Sequence, residues 1–441
     1  MTPASENPLI SREEIEDAVL EGDSPISTGT ARAALRHRTF RIVYWGAFAS
    51  NIGTWMQNVV LGAYAYDLTH SSTFVGVMIF AQLGPILLLA MLGGLIADRV
   101  DRKKFLIILS VEQLVFSVAL AWVVRAHSPS LALITLMVVL VGAGGAMFGP
   151  AYSAVLPGLV GKEDLPGAIS LNSAQMNLSR VIGPPIGAVA YHFVGPSWVF
   201  AGNAVTYLFV VIALMMVTLP AVEGLVSGGV GRKSNFKELI AGVSVARQDK
   251  IVGRCLVTVF VFSLLALAFL GQMPVVAAHN LGIDPNSANY GILYGCFGTG
   301  AFIGAISIGT VFAHTSKPAI VRVCLLAYTV MLAVFALLRS ALPAYFVVMI
   351  LGAFYFAFIT ALNTTMQTRL QDAVRGRVMA LWIMGFGGTV ALGNLLVGPV
   401  VSTVGITDVL LFGAGVALLL AWYADVRAPE ERGQVAVELA Q

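Results

Sequence analysis

The sequence predicts an all-α integral membrane protein, with twelve transmembrane helices in two pseudo-symmetric six-helix bundles. Three observations carry that prediction: an extreme apolar composition, a regular succession of long apolar runs, and basic residues confined to alternate loops. Of the 441 residues, 58% are hydrophobic and only 11% charged, and mean hydropathy is +0.85. A soluble chain carries about 25% charged residues. A water-facing surface cannot be built from so few, whereas a lipid-facing one can. The same arithmetic excludes a soluble enzyme, a nucleic-acid binder and a secreted disulfide scaffold. Cys255, Cys296 and Cys324 lie far apart in apolar runs without CxxC spacing, so neither a disulfide nor a metal site is expected.

The elements follow in order. Residues 1–39 are expected to form a cytoplasmic amino-terminal tail. Its acidic residues Glu6, Glu13, Glu14, Glu16, Asp17, Glu21 and Asp23, with no long apolar stretch, fit a largely disordered segment rather than a cleavable signal peptide. Apolar runs then predict helices near 41–65, 72–97, 105–124, 131–156, 168–193 and 198–219, an amino-terminal bundle spanning 40–219. Residues 220–250, with Gly228, Gly229, Gly231, Arg232, Lys233, Lys237, Arg247 and Lys250, read as a cytoplasmic linker. A second set follows near 252–273, 288–312, 318–338, 343–366, 377–401 and 407–424. It makes a carboxy-terminal bundle over 251–424, with a cytoplasmic tail at 425–441.

Charge sets the orientation. All but three of the 26 Lys and Arg fall on segments that lie inside if the amino terminus is cytoplasmic. Arg125 and Arg339 fall outside and Arg180 within a span. This is the positive-inside pattern, and it places both termini in the cytoplasm of a multi-pass protein of the bacterial inner membrane.

The halves also echo each other. Ser72-x-x-x-Gly76 with Gly94 recurs at an offset of 215 as Ser287-x-x-x-Gly291 with Gly309. Val141-Gly142-Ala143 corresponds to Leu351-Gly352-Ala353 at an offset of 210, and Phe148 to Phe358. Parallel six-helix repeats of this kind place a substrate site between them.

The loop after helix 2 reads Gly94-Leu95-Ile96-Ala97-Asp98-Arg99-Val100-Asp101-Arg102-Lys103-Lys104. It resembles the cytoplasmic signature G-x-x-x-D-R-x-G-R-[KR]-[KR] of the major facilitator superfamily, with Asp101 in place of the last glycine. The resemblance implies the major facilitator fold and a loop that works as a conformational latch, with Gly94, Asp98, Arg99, Arg102 and Lys103 as its parts. The counterpart loop has Ala313 at the Asp98 position and keeps only Lys317 of the basic residues, so the two gates are expected to be unequal. In helix 5, Gly183-Pro184-Pro185-Ile186-Gly187 is similar to the antiporter signature G-x-x-x-G-P-x-x-G-G; Ser179 and Ala188 replace two glycines. The resemblance implies an exporter, with Gly183, Pro184 and Gly187 shaping a helix bend. Ala97 to Arg102 together with Phe148-Gly149-Pro150-Ala151 look most like the branch that includes enterobactin-type siderophore exporters and multidrug efflux proteins.

Polar residues inside the spans mark a candidate cavity. Helix 1 offers Asn51, Thr54, Gln57 and Asn58; helix 5 offers Asn172, Gln175, Ser179 and Arg180; helix 10 offers Asn363 and Gln367. A lipid-facing helix does not expose so much hydrogen-bonding surface. Trp55, Phe148, Tyr152, Phe354 and Phe358 are interleaved with them. Two readings of Arg180 stand open, a substrate contact and a permanent structural partner. Glu112 in helix 3 is the candidate proton carrier, and its competing reading is a glutamate paired with a basic loop residue. No cofactor or metal is implied, and no phosphate-binding loop occurs, so any energy must come from a gradient.

The function expected is a secondary transporter, a monomer surrounded by lipid, that exports small amphipathic compounds by alternating access with proton coupling. Two rivals stand beside it: a lysophospholipid translocator of the same fold, and a non-transporting membrane scaffold.

Overall fold

Small polar side chains start several helices, because the first amides of a helix have no partner within it. Ser71 Oγ accepts from the Phe74 amide at 3.3 Å and Asp101 Oδ1 from the Lys104 amide at 3.1 Å. Asp249 Oδ1 takes the amides of Ile251 and Val252 at 2.8 and 3.2 Å. The computed structural model describes residues 28–97, 99–218, 243–244, 247–370 and 372–426. Asp98, most of the linker, and residues 1–27 and 427–441 lie outside them, so the expectations for Asp98, those tails and most of the linker concern other residues.

A short helix, Ala31–Arg36, precedes α1, Arg38–Thr69. Then come α2, Ser72–Leu83 and Ile86–Ala97 interrupted at Gly84-Pro85; α3, Arg102–Val123; α4, Leu131–Leu159; α5, Leu165–Val194; and α6, Pro196–Met216. In the second half α7 runs in pieces, Lys250–Val261, a π turn Phe262–Ala266, Ala268–Gly271 and Met273–Asn280. It is followed by α8, Ala288–Gly309; α9, Lys317–Leu337; and α10, Ala341–Gln367. Finally α11 comprises Asp372–Ile383, a π turn Met384–Gly388 and Thr389–Val404, and α12 is Ile406–Tyr423. Among the described residues there is no strand.

Among those residues, ten of these helices are long and apolar enough to cross a bilayer. The two that fall short on apolarity are α1 and α5, at 32 and 30 residues. Each is about 45 Å long or more, enough for a hydrocarbon core of about 30 Å. Their deficit is the polar set itself, Asn51 to Asn58 and Asn172 to Arg180.

Several helices begin earlier than the sequence predicts, and for α3 and α5 the shift moves a candidate residue. Because Asp101 caps α3, the basic residues Arg102 to Lys104 enter its first turn, and Glu112 sits ten residues in, about 15 Å along the axis. Likewise α5 starts at Leu165 with Pro166 in its first turn, which suits proline's fixed φ. Arg180 is therefore about 22 Å deep.

The repeat is visible in the packing. In the first half α1 lies against α5 and α6, α3 against α4 and α6, and α2 against α4. In the second, α8 and α9 both pack on α10, and α9 on α12. The halves meet along two seams, α2 with α11 and α5 with α8. Advancing each helix by six turns one seam into the other. Two details fix the register. Gly142 of α4 abuts the carbonyl of Gln82, and Gly352 of α10 abuts that of Phe297; Gln82 and Phe297 are separated by the same 215 positions as the Ser-x-x-x-Gly repeat. In addition, single residues Gly195 and Gly405 join α5 to α6 and α11 to α12, with φ of 80° and 92°. Only glycine adopts that conformation freely.

At Gly142 and Gly352 an added Cβ would press on a backbone carbonyl that cannot move without its helix. Alanine at either position should destabilise the protein by about 1–3 kcal/mol. Gly415→Ala, which meets open space, should be neutral or slightly stabilising. Thermal unfolding of the three variants in detergent checks this; equal midpoints would refute the close approach.

Candidate functional site

One face of α5 meets α1 and another meets α8. Gly183 and Gly187 lie against the α1 backbone between Ile52 and Met56, so α1 rides directly on the helix at that point. The helix continues unbroken through Pro184 and Pro185, and Pro185 faces Gly291 and Gly295 of α8. The motif residues thus set the spacing of three helices.

This packing brings Arg180 to the seam between the halves. Its guanidinium carbon lies 5.2 Å from the ring centroid of Trp55 on α1 and 5.5 Å from that of Phe356 on α10. The Tyr355 hydroxyl is close enough to interact with it electrostatically. Asn177, Val181, Ala301 and Phe302 complete the cleft around it. Its Nε is buried without a hydrogen-bond partner. Between described residues the salt-bridge contact is His37 with Asp164, at the end of the bundle, and no carboxylate pairs with Arg180.

The other polar residues separate into groups. Asn172 accepts from Gln175 Nε2 at 2.7 Å and Asn363 from Gln367 Nε2 at 3.0 Å; both are pairs within one helix. Gln175 Oε1 has no geometric partner, although the Tyr152 hydroxyl of α4, stacked beside Phe148, is near enough to interact with Gln175. Asn51 and Asn58 are half-buried, and Asn58 Oδ1 is unpaired. Phe358 is packed with Phe262 inside the second bundle.

Gln57 points elsewhere than its helix-1 neighbours imply. It is fully buried between α3 and α6, where its Oε1 accepts from Asn203 Nδ2 at 2.8 Å and from Ser117 Oγ at 3.5 Å. Asn203 Nδ2 also reaches the Tyr207 hydroxyl, which pairs with Thr54 Oγ1, both at 3.3 Å. Glu112 lies over Gly144 of α4, in electrostatic range of Tyr207, and its Oε2 is buried and unpaired. A polar network therefore fills the interior of the first bundle. Asn203 and Tyr207, four apart on an otherwise apolar helix, are the sequence signal that marks it.

The seams close at the end away from the basic loops. There Ser72 Oγ donates to the Gly398 carbonyl at 2.8 Å and Gln272 Nε2 to the Ser72 carbonyl at 3.3 Å. Tyr66 bonds His279 at 2.9 Å, and His192 Nδ1 donates to the Asn286 carbonyl at 2.8 Å.

The family model for transmembrane secretion effectors matches residues 29–436. The chain belongs to that family of major facilitator transporters. Curated relatives include the enterobactin exporters EntS of Shigella boydii serotype 4 and of Escherichia coli O1:K1, each 26% identical over 359 residues, covering 78% of this chain and 81% of the relative. Among solved structures, the nucleoside transporter NupG shares 12% identity with a TM-score of 0.69, over 88% of this chain and 98% of that one. A bacterial homologue of the lysosomal transporter Spinster, inward-facing and unoccupied, gives 12% and 0.68 over 88% and 96%. The relatives are transporters, not enzymes.

At the basic end of this transporter two of the residues expected to form a latch bind backbone. Arg102 Nε donates to the Ala97 carbonyl at 3.2 Å and its Nη1 to Ala154 of α4 at 2.8 Å; Lys103 Nζ reaches the Val217 carbonyl at 2.6 Å. Gly94 faces Pro150 of α4, and Arg99 is exposed. The counterpart Lys317 serves its own loop, bonding the Ala313 and Thr315 carbonyls at 2.8 and 3.2 Å.

The last part of the expected tail is anchored here as well. Asp164, before α5, accepts from the Gly29 amide at 3.0 Å and pairs with His37 at 2.7 Å. The Gly29 amide and then the His37 ring hold its carboxyl below the usual carboxylate range. A depressed value means that this anchor is complete above about pH 4 and is lost as pH falls through the docked value. Asp164→Ala should release residues 29–36 at neutral pH, seen as faster amide exchange there; unchanged exchange would remove Asp164 from the anchor.

Proposed function

We propose that this chain is a secondary active transporter of the bacterial inner membrane that exports small amphipathic compounds, drug-like molecules or siderophores, by alternating access with proton coupling. One observation carries the reading. A charged side chain sits deep in the bundle, where the two halves meet, framed by aromatic rings from both. A cation held there costs folding energy, and charges kept inside spans despite that cost mark substrate and ion pathways. The relatives named as enterobactin exporters support the outward direction and the amphipathic substrate class. The basic residues gathered at one end support cytoplasmic termini, with Arg102 to Lys104 among anionic headgroups. The working unit is a monomer in lipid.

In this mechanism the two seams rock about the Arg180 level. Opening the far end breaks the Ser72–Gly398, Gln272–Ser72, Tyr66–His279 and His192–Asn286 bonds while the basic end closes. Arg102, which ties the end of α2 to α4, keeps the first bundle rigid during the motion, with Asp98 as its partner in the latch. Glu112 takes and gives the proton, and the Gln57–Asn203–Tyr207–Thr54 network links its surroundings to α1.

Inside-out vesicles containing the protein should accumulate a labelled amphipathic substrate when a pH gradient is imposed, and a protonophore should abolish the uptake. Glu112→Gln should remove gradient-driven uptake yet keep substrate exchange at equal pH. Gradient-driven uptake that survives in Glu112→Gln would exclude it as the proton carrier. Movement of labelled lysolipid but of no drug or siderophore would favour the lipid translocator, and no uptake of any kind would favour the scaffold.

A further inference from the structure

We propose that the Arg180 cleft is an anion-binding subsite, and that it makes the protein selective for aromatic organic anions over cations of the same shape. This rests on the transport reading and specifies its substrate. The argument starts from what Arg180 lacks. A guanidinium carries five N–H donors in a planar fork, and none of them bonds an acceptor among the described residues; the Nε is enclosed and unpaired. Among the described residues no carboxylate forms an ion pair with it. What holds the side chain is two ring faces, Trp55 and Phe356. The ring contacts satisfy none of these N–H donors, so the terminal ones remain to bond a planar anion.

The surroundings define the rest of the ligand. Phe302 and Phe356 line the cleft beside Val181 and Ala301; it holds only about 10 Å³ here, so a flat aromatic body enters between these apolar walls as the seam opens. Asn177 adds one amide to the rim, where it can bond a hydroxyl or carbonyl on the ring. Glu112, the carboxylate deepest in a span among the described residues, lies over Gly144 inside the first bundle, so no described carboxylate faces the cleft, and the ring faces that could attract a cation are already occupied by Arg180. Trp55 belongs to the first half and Phe356 to the second, so a ligand on Arg180 contacts both moving parts at once.

The test uses one ring system in three charge states, 2-naphthoate, 2-naphthamide and 2-naphthylmethylammonium, with the purified full-length protein in nanodiscs and titration calorimetry. The expected result is that naphthoate binds at least tenfold tighter than the amide, and the ammonium weakest. Arg180→Gln should abolish the ranking by weakening naphthoate alone, and Arg180→Lys should keep part of it, since a point charge remains without the fork. Equal affinities, preference for the ammonium, absence of naphthoate binding, or a ranking unchanged in Arg180→Gln would each overturn the proposal. If Arg180→Gln does not fold, the wild-type ranking decides. The failure of the transport reading looks different: naphthoate would bind as stated, yet vesicles would move no substrate.

Discussion

A polar group in hydrocarbon has no water to replace a missing partner, and each unpaired one costs several kcal/mol. That constraint organises this molecule. The two helices too polar to pass as membrane spans, α1 and α5, pack on each other, with α6 against α1 and α8 against α5. Small residues make this packing possible. Gly183 and Gly187 let α5 lie on the α1 backbone, and Gly53 lets α1 approach Asn203 and Thr206 of α6. The polar side chains that result are paired in part within a helix, as in Asn172–Gln175, or across helices, as in Gln57–Asn203, and some atoms stay open, Glu112 Oε2 inside the first bundle and Arg180 Nε at the seam among them.

The second organising fact is that one six-helix design is used twice with its breaks in different places. Gly142 and Gly352 repeat the same backbone contact, and Gly195 and Gly405 the same turn. Yet α1 and α5 are unbroken while their counterparts α7 and α11 each contain a π turn. π turns leave the regular ladder locally loosened and occur often at functional sites. The first half also ties α2 to α4 through Arg102, whereas Lys317 binds only its own loop. The breaks therefore fall differently in the two halves, on α7 and α11 in the second and on α2, at Gly84-Pro85, in the first.

Much of this was legible in the sequence, for physical reasons. Helix number and order follow from hydropathy, because lipid admits little else, and the repeat follows from glycines that no larger residue can replace. The depth of Arg180 was readable to within three residues; the error came from Pro166 admitting an extra turn to α5. Side-chain direction was less accessible. Spacing groups Asn51, Thr54 and Asn58 on one face, but it does not say which neighbour that face meets, and Thr54 turns to Tyr207. The aromatic partner of Arg180 on α10 is Phe356, not Phe354 or Phe358, because the register between halves is set by packing far from either residue.

The placement of α1 connects these points. Within four residues it presents Trp55 to Arg180 at the seam and Thr54 and Gln57 to the Glu112 neighbourhood inside the first bundle. A helix of 32 residues without an internal break moves as a rod over so short a span, so Trp55 cannot shift far without carrying Thr54 and Gln57 along. The bonds from Gln57 to Asn203 and from Thr54 to Tyr207 then stretch or re-form, and the space around Glu112 changes with them. In the proposed mechanism, substrate and proton therefore need not touch for one to sense the other. The rigidity that Gly183 and Gly187 create by seating α1 on α5 supplies the connection, and the same two glycines fix the height at which Arg180 meets its rings.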